Sequence, residues 1–250
     1  MPKHNGFDGD RRALLRAGGT LIVGAMLSPA SAVAQASGGG AKVRIGVIGS
    51  GNIGGTIGGL WVKAGHSVLF SSRHPEELKD MVAGLGPLAQ AGPVDKAIEF
   101  GEVIFIAVPY GALPQVGRDY AAKLKDKIVL DACNASAGRD GAIAEEVDRE
   151  GIGLTSQKYL PGTRLVRSFN TLSYMIFARE ANRPDPRLAI PIAGDDQDAI
   201  RVAAALVRDA GFDPVVVGKL ADARRFQRGG PGYGQPVSAP ELKQKLNLPL

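Results

Sequence analysis

Val43-Arg44-Ile45-Gly46-Val47-Ile48-Gly49-Ser50-Gly51-Asn52-Ile53-Gly54 is the stretch that decides the fold. Its first six residues form a β-branched apolar run of the kind a strand buried on both faces requires. The run passes directly into G-x-G-x-x-G, and a helix-length segment, residues 53–64, follows and stops at Gly65. Strand before and helix after is the context that gives this glycine spacing a meaning. Gly49 makes the tight turn out of the strand, Gly51 lets backbone approach a pyrophosphate, and Gly54 lets the helix pack closely on the sheet. The first N–H groups of the helix and the positive end of its dipole then face the phosphates. A second strand predicted over residues 67–71 completes a β-α-β unit. The pattern predicts a dinucleotide-binding domain with Gly49, Ser50, Gly51, Asn52, Ile53 and Gly54 as its cradle.

The end of that second strand selects the nucleotide. Sites for NAD place Asp or Glu there to hold the ribose 2′-hydroxyl, whereas this chain has Ser71-Ser72-Arg73. No carboxylate repels a 2′-phosphate, Ser72 offers a hydrogen bond, and Arg73 offers charge-assisted bonds and a stacking surface. The expectation is NADP(H), with a solvated surface arginine as the alternative for Arg73. His74, before Pro75, is read as a surface residue.

Outward from this unit the alternation continues. Helices are predicted over 76–84, 94–100, 111–124, 142–150 and 197–210, and strands over 88–91, 103–108, 128–132, 165–169, 188–193 and 214–217. Repeated βα units imply an α/β fold with a doubly wound parallel sheet, the Rossmann arrangement. The expected division is a nucleotide-binding domain over 42–172 and a small C-terminal α/β portion over 173–250, either an extension of the same sheet or a lobe. Ser238-Ala239-Pro240-Glu241 reads as a capping box opening a last helix. Ligands of open α/β sheets sit outside the carboxyl ends of the strands. Val108, Pro109, Asn134 and Asn170 are therefore candidates for the nicotinamide half, and Tyr110 and the 229–234 glycine loop for the acceptor side. Each also has a plainer reading as a strand terminator, turn cap or linker. Cys133 is read as a small buried hydrophobe, since no histidine stands where a base would be needed.

Residues 1–36 read as an address rather than a domain. Arg11-Arg12 precede a short apolar stretch at 20–27, and Ala34-Gln35-Ala36 offers a small-residue cleavage site. The paired arginines give the segment the look of a twin-arginine signal and predict a periplasmic or exported protein, cytoplasmic if the segment is instead an ordinary amphipathic helix. An apolar core of about eight residues is too short for a bilayer, which takes about 20. Residues 37–41 read as a linker.

Composition narrows the classes. With 44% hydrophobic and 22% charged residues the chain is an ordinary globular mix, and its 34 glycines fall mostly between apolar runs, as tight βα turns require. One cysteine excludes an intrachain disulfide framework, and three histidines without ligand spacing predict no metal. Four cations and two acids of the net +5 lie before residue 37, leaving +3. That excess suits an anionic small ligand and, with no basic run, does not suggest nucleic acid.

Residues 43–73, the 103–109 strand, Phe169-Asn170-Thr171 and Ala193-Gly194-Asp195-Asp196 together resemble one family, the F420-dependent NADP reductases, also called NADPH:coenzyme F420 oxidoreductases. The resemblance spans roughly residues 42–235. Ser50-Gly51-Asn52-Ile53 is similar to that family's pyrophosphate loop and Ser72-Arg73 to its 2′-phosphate clamp. The same module is found in membrane metalloreductases, where it passes hydride from NADPH to a flavin. The resemblance implies NADP(H) as cofactor and coenzyme F420 or a flavin as acceptor, a small-molecule redox partner, with a homodimer left open. This chain departs from the family in carrying Pro75-Glu76-Glu77 where archaeal members have a basic residue, and in its export signal. The competing expectations are an NADPH-dependent reductase of a small C=O or C=N substrate and a non-catalytic NADP-binding module.

Overall fold

The computed structural model describes residues 42–250; the export signal and linker expected over 1–41 lie outside the described residues. In chain order the elements are β1 (Arg44–Ile48), α1 (Asn52–Lys63), β2 (Ser67–Ser71), α2 (Lys79–Leu85), β3 (Ala89–Gly92), α3 (Val94–Phe100), β4 (Val103–Ile106), α4 (Leu113–Leu124), β5 (Ile128–Asp131), α5 (Ala137–Asp140), α6 (Ala142–Glu150), α7 (Ile152–Tyr159), β6 (Arg164–Arg167), α8 (Tyr174–Glu180), β7 (Ala189–Gly194), α9 (Gln197–Asp209), β8 (Asp213–Gly218) and α10 (Ala239–Lys245), with 3₁₀ turns at Pro75–Leu78, Tyr110–Ala112 and Leu220–Phe226.

The eight strands form one sheet in the order β3-β2-β1-β4-β5-β6-β7-β8. β1 pairs in parallel with both β2 and β4, so the chain winds to one side of β1 and then returns to the other. This reversal opens a crevice at the carboxyl ends of β1 and β4. The sheet is not wholly parallel: β7 joins β6 antiparallel, and β8 runs parallel to β7. Residues 189–218 therefore extend the same sheet and form no separate lobe.

Each face of the sheet carries its own apolar layer. On one, Trp61 of α1, Phe105 of β4, Phe169, Phe177 of α8 and Phe212 interlock edge to face, with Trp61 and Phe105 ring centres 5.0 Å apart. Trp61 meets its polar need by donating from Nε1 to Leu206 O at 2.8 Å. On the other face Ile98, Ile104, Leu113, Leu124, Val129 and Ile152 pack beneath α3, α4 and α7. α9 shows how sequence makes such an element: Ala199, Ile200, Ala203, Ala204, Leu206 and Val207 fall on one buried stripe. Its start is set by Asp196, whose carboxylate accepts from Ala199 N–H at 2.9 Å and receives both a 2.8 and a 2.9 Å bond from Arg164. That pairing holds the Asp196 carboxyl well below its usual range, chiefly through the Arg164 hydrogen bonds.

Candidate functional site

The site grows from the loop between β1 and α1. Gly49 has φ +94°, and a Cβ there would lie 2.6 Å from Ala107 O, so only glycine makes this turn. Gly54 lies against the turn, where a Cβ would meet Gly49 O at 2.0 Å. Gly51 differs: its φ of −75° suits any residue, and a Cβ built on it finds nothing within 4 Å. The first i→i−4 bond of α1 runs from Gly55 N–H to Gly51 O at 2.7 Å, and no side chain caps the helix. The N–H groups of Asn52, Ile53 and Gly54 thus lack intrahelical acceptors. Open space beside unpaired donors at a helix start fits a pyrophosphate. Ser50 braces the turn: its N–H and its hydroxyl donate to Ser71 O at 3.2 and 3.0 Å, and Gly49 N–H donates to the same carbonyl.

That carbonyl ends β2, so the turn is tied to Ser72 and Arg73, the residues expected to select the nucleotide. Ser72 is half-buried and its Oγ accepts from His74 N–H at 3.1 Å. Arg73 is exposed beside it. His74 stands outward with its Nδ1 3.5 Å from Glu76.

Across the crevice, a cleft of about 430 Å³ is bounded by Asn52, Ile53, Ala107, Val108, Pro109, Ala132, Cys133, Asn134, Arg139 and Arg228. The pyrophosphate turn and the ends of β4 and β5 therefore meet in one place. Asn134 lines the cleft and donates from Nδ2 to Asn170 O at 2.5 Å. Asn170 itself is buried and does not reach the cleft; its Nδ2 donates to Asn134 Oδ1 at 3.3 Å and Phe226 O at 3.2 Å. Tyr110, a candidate for the acceptor side, is turned away. It is fully buried, its hydroxyl bonds Ser156 Oγ at 3.0 Å, and burial raises its pKa. An aromatic ring directly after Pro109 finds its apolar partners under α7 rather than in the crevice. Cys133 is buried as read from the sequence, with its thiol pushed well up by burial and its Sγ 3.6 Å from Ile106 O.

Residues 44–135 match the family described as NADP oxidoreductase, coenzyme F420-dependent. The matched segment supplies β1 to β5 and hence the cradle, the Ser72-Arg73 corner and most of the cleft. Over 192 residues the chain is 30% identical to the metalloreductase STEAP3 of Rattus norvegicus, covering 74% of this chain and 36% of that one; it thus spans about a third of that relative. Among solved structures, a hypothetical protein of Sinorhizobium meliloti shares the fold at TM-score 0.64 and 24% identity, covering 79% of this chain and 95% of that one. A provisionally named F420-dependent NADP reductase of an Arthrobacter species does so at TM-score 0.61 and 21% identity, covering 73% and 87%.

Two arginines, one just beyond the matched segment and one near the C-terminal end, lie on the cleft without having been singled out in the sequence. Arg139 is fixed by Asp140 and by a 2.5 Å bond from Nη2 to Asn134 O. Arg228 lies with its guanidinium 5.6 Å from the Tyr233 ring centre. It also borders a smaller cavity of about 170 Å³ lined by Ser136, Val147, Ile152 and Gln227. Gln227 is held by a 2.9 Å bond from Ile152 N–H, and Gly234 N–H bonds Thr171 O at 3.0 Å, so the 226–234 segment is anchored at both ends. Arg139 sits on the four-residue α5 and Arg228 in the turn after the 220–226 segment, both too short for a periodicity to mark a direction.

Proposed function

We propose that the chain transfers hydride between NADP(H) and a deazaflavin, coenzyme F420, or a flavin. The observation that carries this is the chemistry of the cleft. Among the described residues its boundary contains no carboxylate, histidine or lysine; the titratable groups on it are Cys133, Arg139 and Arg228. Reduction of C=O or C=N adds a proton to the heteroatom as well as hydride to carbon, and so calls for a positioned acid. Here Cys133 is the nearest candidate and its proton is directed at Ile106 O. A deazaflavin or flavin ring spreads the charge of the incoming hydride and needs no such donor, and the nicotinamide supplies that hydride from C4.

The chain's own work is then placement. The N–H groups of Asn52, Ile53 and Gly54 hold the pyrophosphate, and Ser72 and Arg73 hold the 2′-phosphate. Val108, Pro109 and Asn134 form the wall against which the nicotinamide lies. Arg139 and Arg228 face the side from which the acceptor enters. Residues 1–36 direct export along the twin-arginine route, which carries folded proteins. The test is anaerobic mixing of NADPH with the protein and with oxidised F420, FMN, FAD or a cyclic imine, following NADPH absorbance. Oxidation with F420 or a flavin and none with the imine supports the reading, and oxidation with the imine alone overturns it.

A further inference from the structure

Asp131 ends β5 and Arg167 ends β6; the two are register partners in adjacent parallel strands. Both side chains are 0% exposed, and Arg167 Nη1 is ion-paired with Asp131 Oδ2. The remaining arms of the pair close on a single residue from opposite sides. Asp131 Oδ1 accepts from Cys133 N–H at 2.8 Å, and Arg167 Nη2 donates to Cys133 O at 2.6 Å. Cys133 and its neighbours Ala132 and Asn134 are the floor of the cleft. Around the pair lie further buried polar atoms with no hydrogen-bond partner, among them Arg167 Nε, Ser168 Oγ and Asn170 Oδ1.

A buried ion pair is a poor way to stabilise a core, because desolvating both charges offsets their attraction, and apolar replacements of like volume often fold as well. This pair sits where β5 and β6 meet the crevice, and its spare hydrogen bonds go to the loop that borders it. We propose that Asp131 and Arg167 are positioning residues that clamp the Cys133 peptide groups and so set the floor against which the nicotinamide end of the dinucleotide rests; the inference rests on the nucleotide reading of the cleft. The guanidinium fork is what the task needs, one nitrogen for the carboxylate and another for the carbonyl. The clamp acts on one half of the ligand only, since Ser72 and Arg73 follow β2, three strands from β5 beyond β4 and β1.

The experiment compares binding of NADPH with binding of 2′,5′-ADP, which has the adenosine half and no nicotinamide, in the full chain by titration calorimetry. Two variants are used: Asp131→Leu with Arg167→Met, which removes both charges together, and Arg167→Lys, which keeps the charge pair and loses the second nitrogen. The expected result is NADPH weakened about tenfold in the double variant and about threefold in Arg167→Lys, the latter by loss of one hydrogen bond, with 2′,5′-ADP within twofold of wild type in both. Arg167→Lys decides the matter where the double variant fails to fold. Equal loss of both ligands, or of neither, in a folded variant overturns the clamp. Wild-type protein that binds neither ligand overturns the nucleotide reading itself, and the clamp with it.

Discussion

The two sides of the crevice are built from different materials. On the β1–β2 side the proposed ligand contacts are backbone: N–H groups of Asn52, Ile53 and Gly54, with Gly51 leaving the approach open and Gly49 and Gly54 shaping the turn behind it. On the β5–β6 side they are side chains held in place by other segments and neighbours, Asn134 by the Asn170 carbonyl and Arg139 by Asp140 and the Asn134 carbonyl. A backbone site depends on which positions can lack a Cβ, and that is written locally. A side-chain site depends on which distant segments the sheet brings together.

The sharpest way to break this contrast is to add a Cβ at two glycines of the same turn. Gly51→Val should abolish NADPH binding, a loss of at least about a hundredfold, with an unchanged melting temperature, because its new atoms enter open space rather than protein. Gly54→Val should instead lower the melting temperature by several degrees, since its Cβ overlaps Gly49 O. Calorimetry and thermal unfolding read both, and an unfolded Gly51→Val would show that this turn is packed rather than open.

A smaller effect sharpens the same side. Arg73→Ala should weaken NADPH about thirtyfold, roughly the 2 kcal/mol of a charge-assisted bond, and leave NADH within twofold. Equal losses would remove the 2′-phosphate assignment and make Arg73 the solvated surface arginine it resembles in isolation.

How much of this was readable follows from the same contrast. β2, α3 and α6 fall where periodicity places them, and the cradle was legible because strand, glycine spacing and helix are contiguous in sequence. The capping signals at Asp196 and Ser238 were legible too: Glu241 accepts from both the N–H and the hydroxyl of Ser238, at 2.8 and 2.5 Å. α5, α7, α8 and the 220–226 turn were not foreseen: α5 has four residues, α7 buries Gly153, Thr155 and Ser156 beside Ile152, α8 buries Phe177 alone, and the 220–226 turn repeats every three residues, so none carries an apolar 3.6-residue stripe. Arg228 was missed because only the folded chain brings residue 228 to residues 52 and 108. Asp131 and Arg167 left a fainter mark, a charge at the carboxyl end of a strand, whose partner becomes evident only with the register.

The smallest effect belongs to the acceptor side. Arg228→Ala should raise KM for an anionic acceptor about threefold to tenfold, in the range of an exposed charge contact, and leave the dissociation constant of NADPH within twofold. Steady-state kinetics at two ionic strengths would check it, the wild-type advantage shrinking as salt rises. A shift in NADPH affinity instead would place Arg228 on the nucleotide.

The reversal of β7 and β8 separates these two choices in a further sense. Because both strands run against the rest of the sheet, the chain leaves β8 at the end remote from the crevice. The turn at Leu220–Phe226 then carries it back, from Asp195, which accepts Leu220 N–H, to Asn170, which holds Phe226 O. On the proposed reading, the share of Arg228 in the acceptor side is thus delivered by a separate excursion of the chain rather than by the strands beside the nucleotide. On that reading, changes after Phe226 would alter the acceptor side while leaving the Ser72-Arg73 corner, some 150 positions earlier in sequence, untouched.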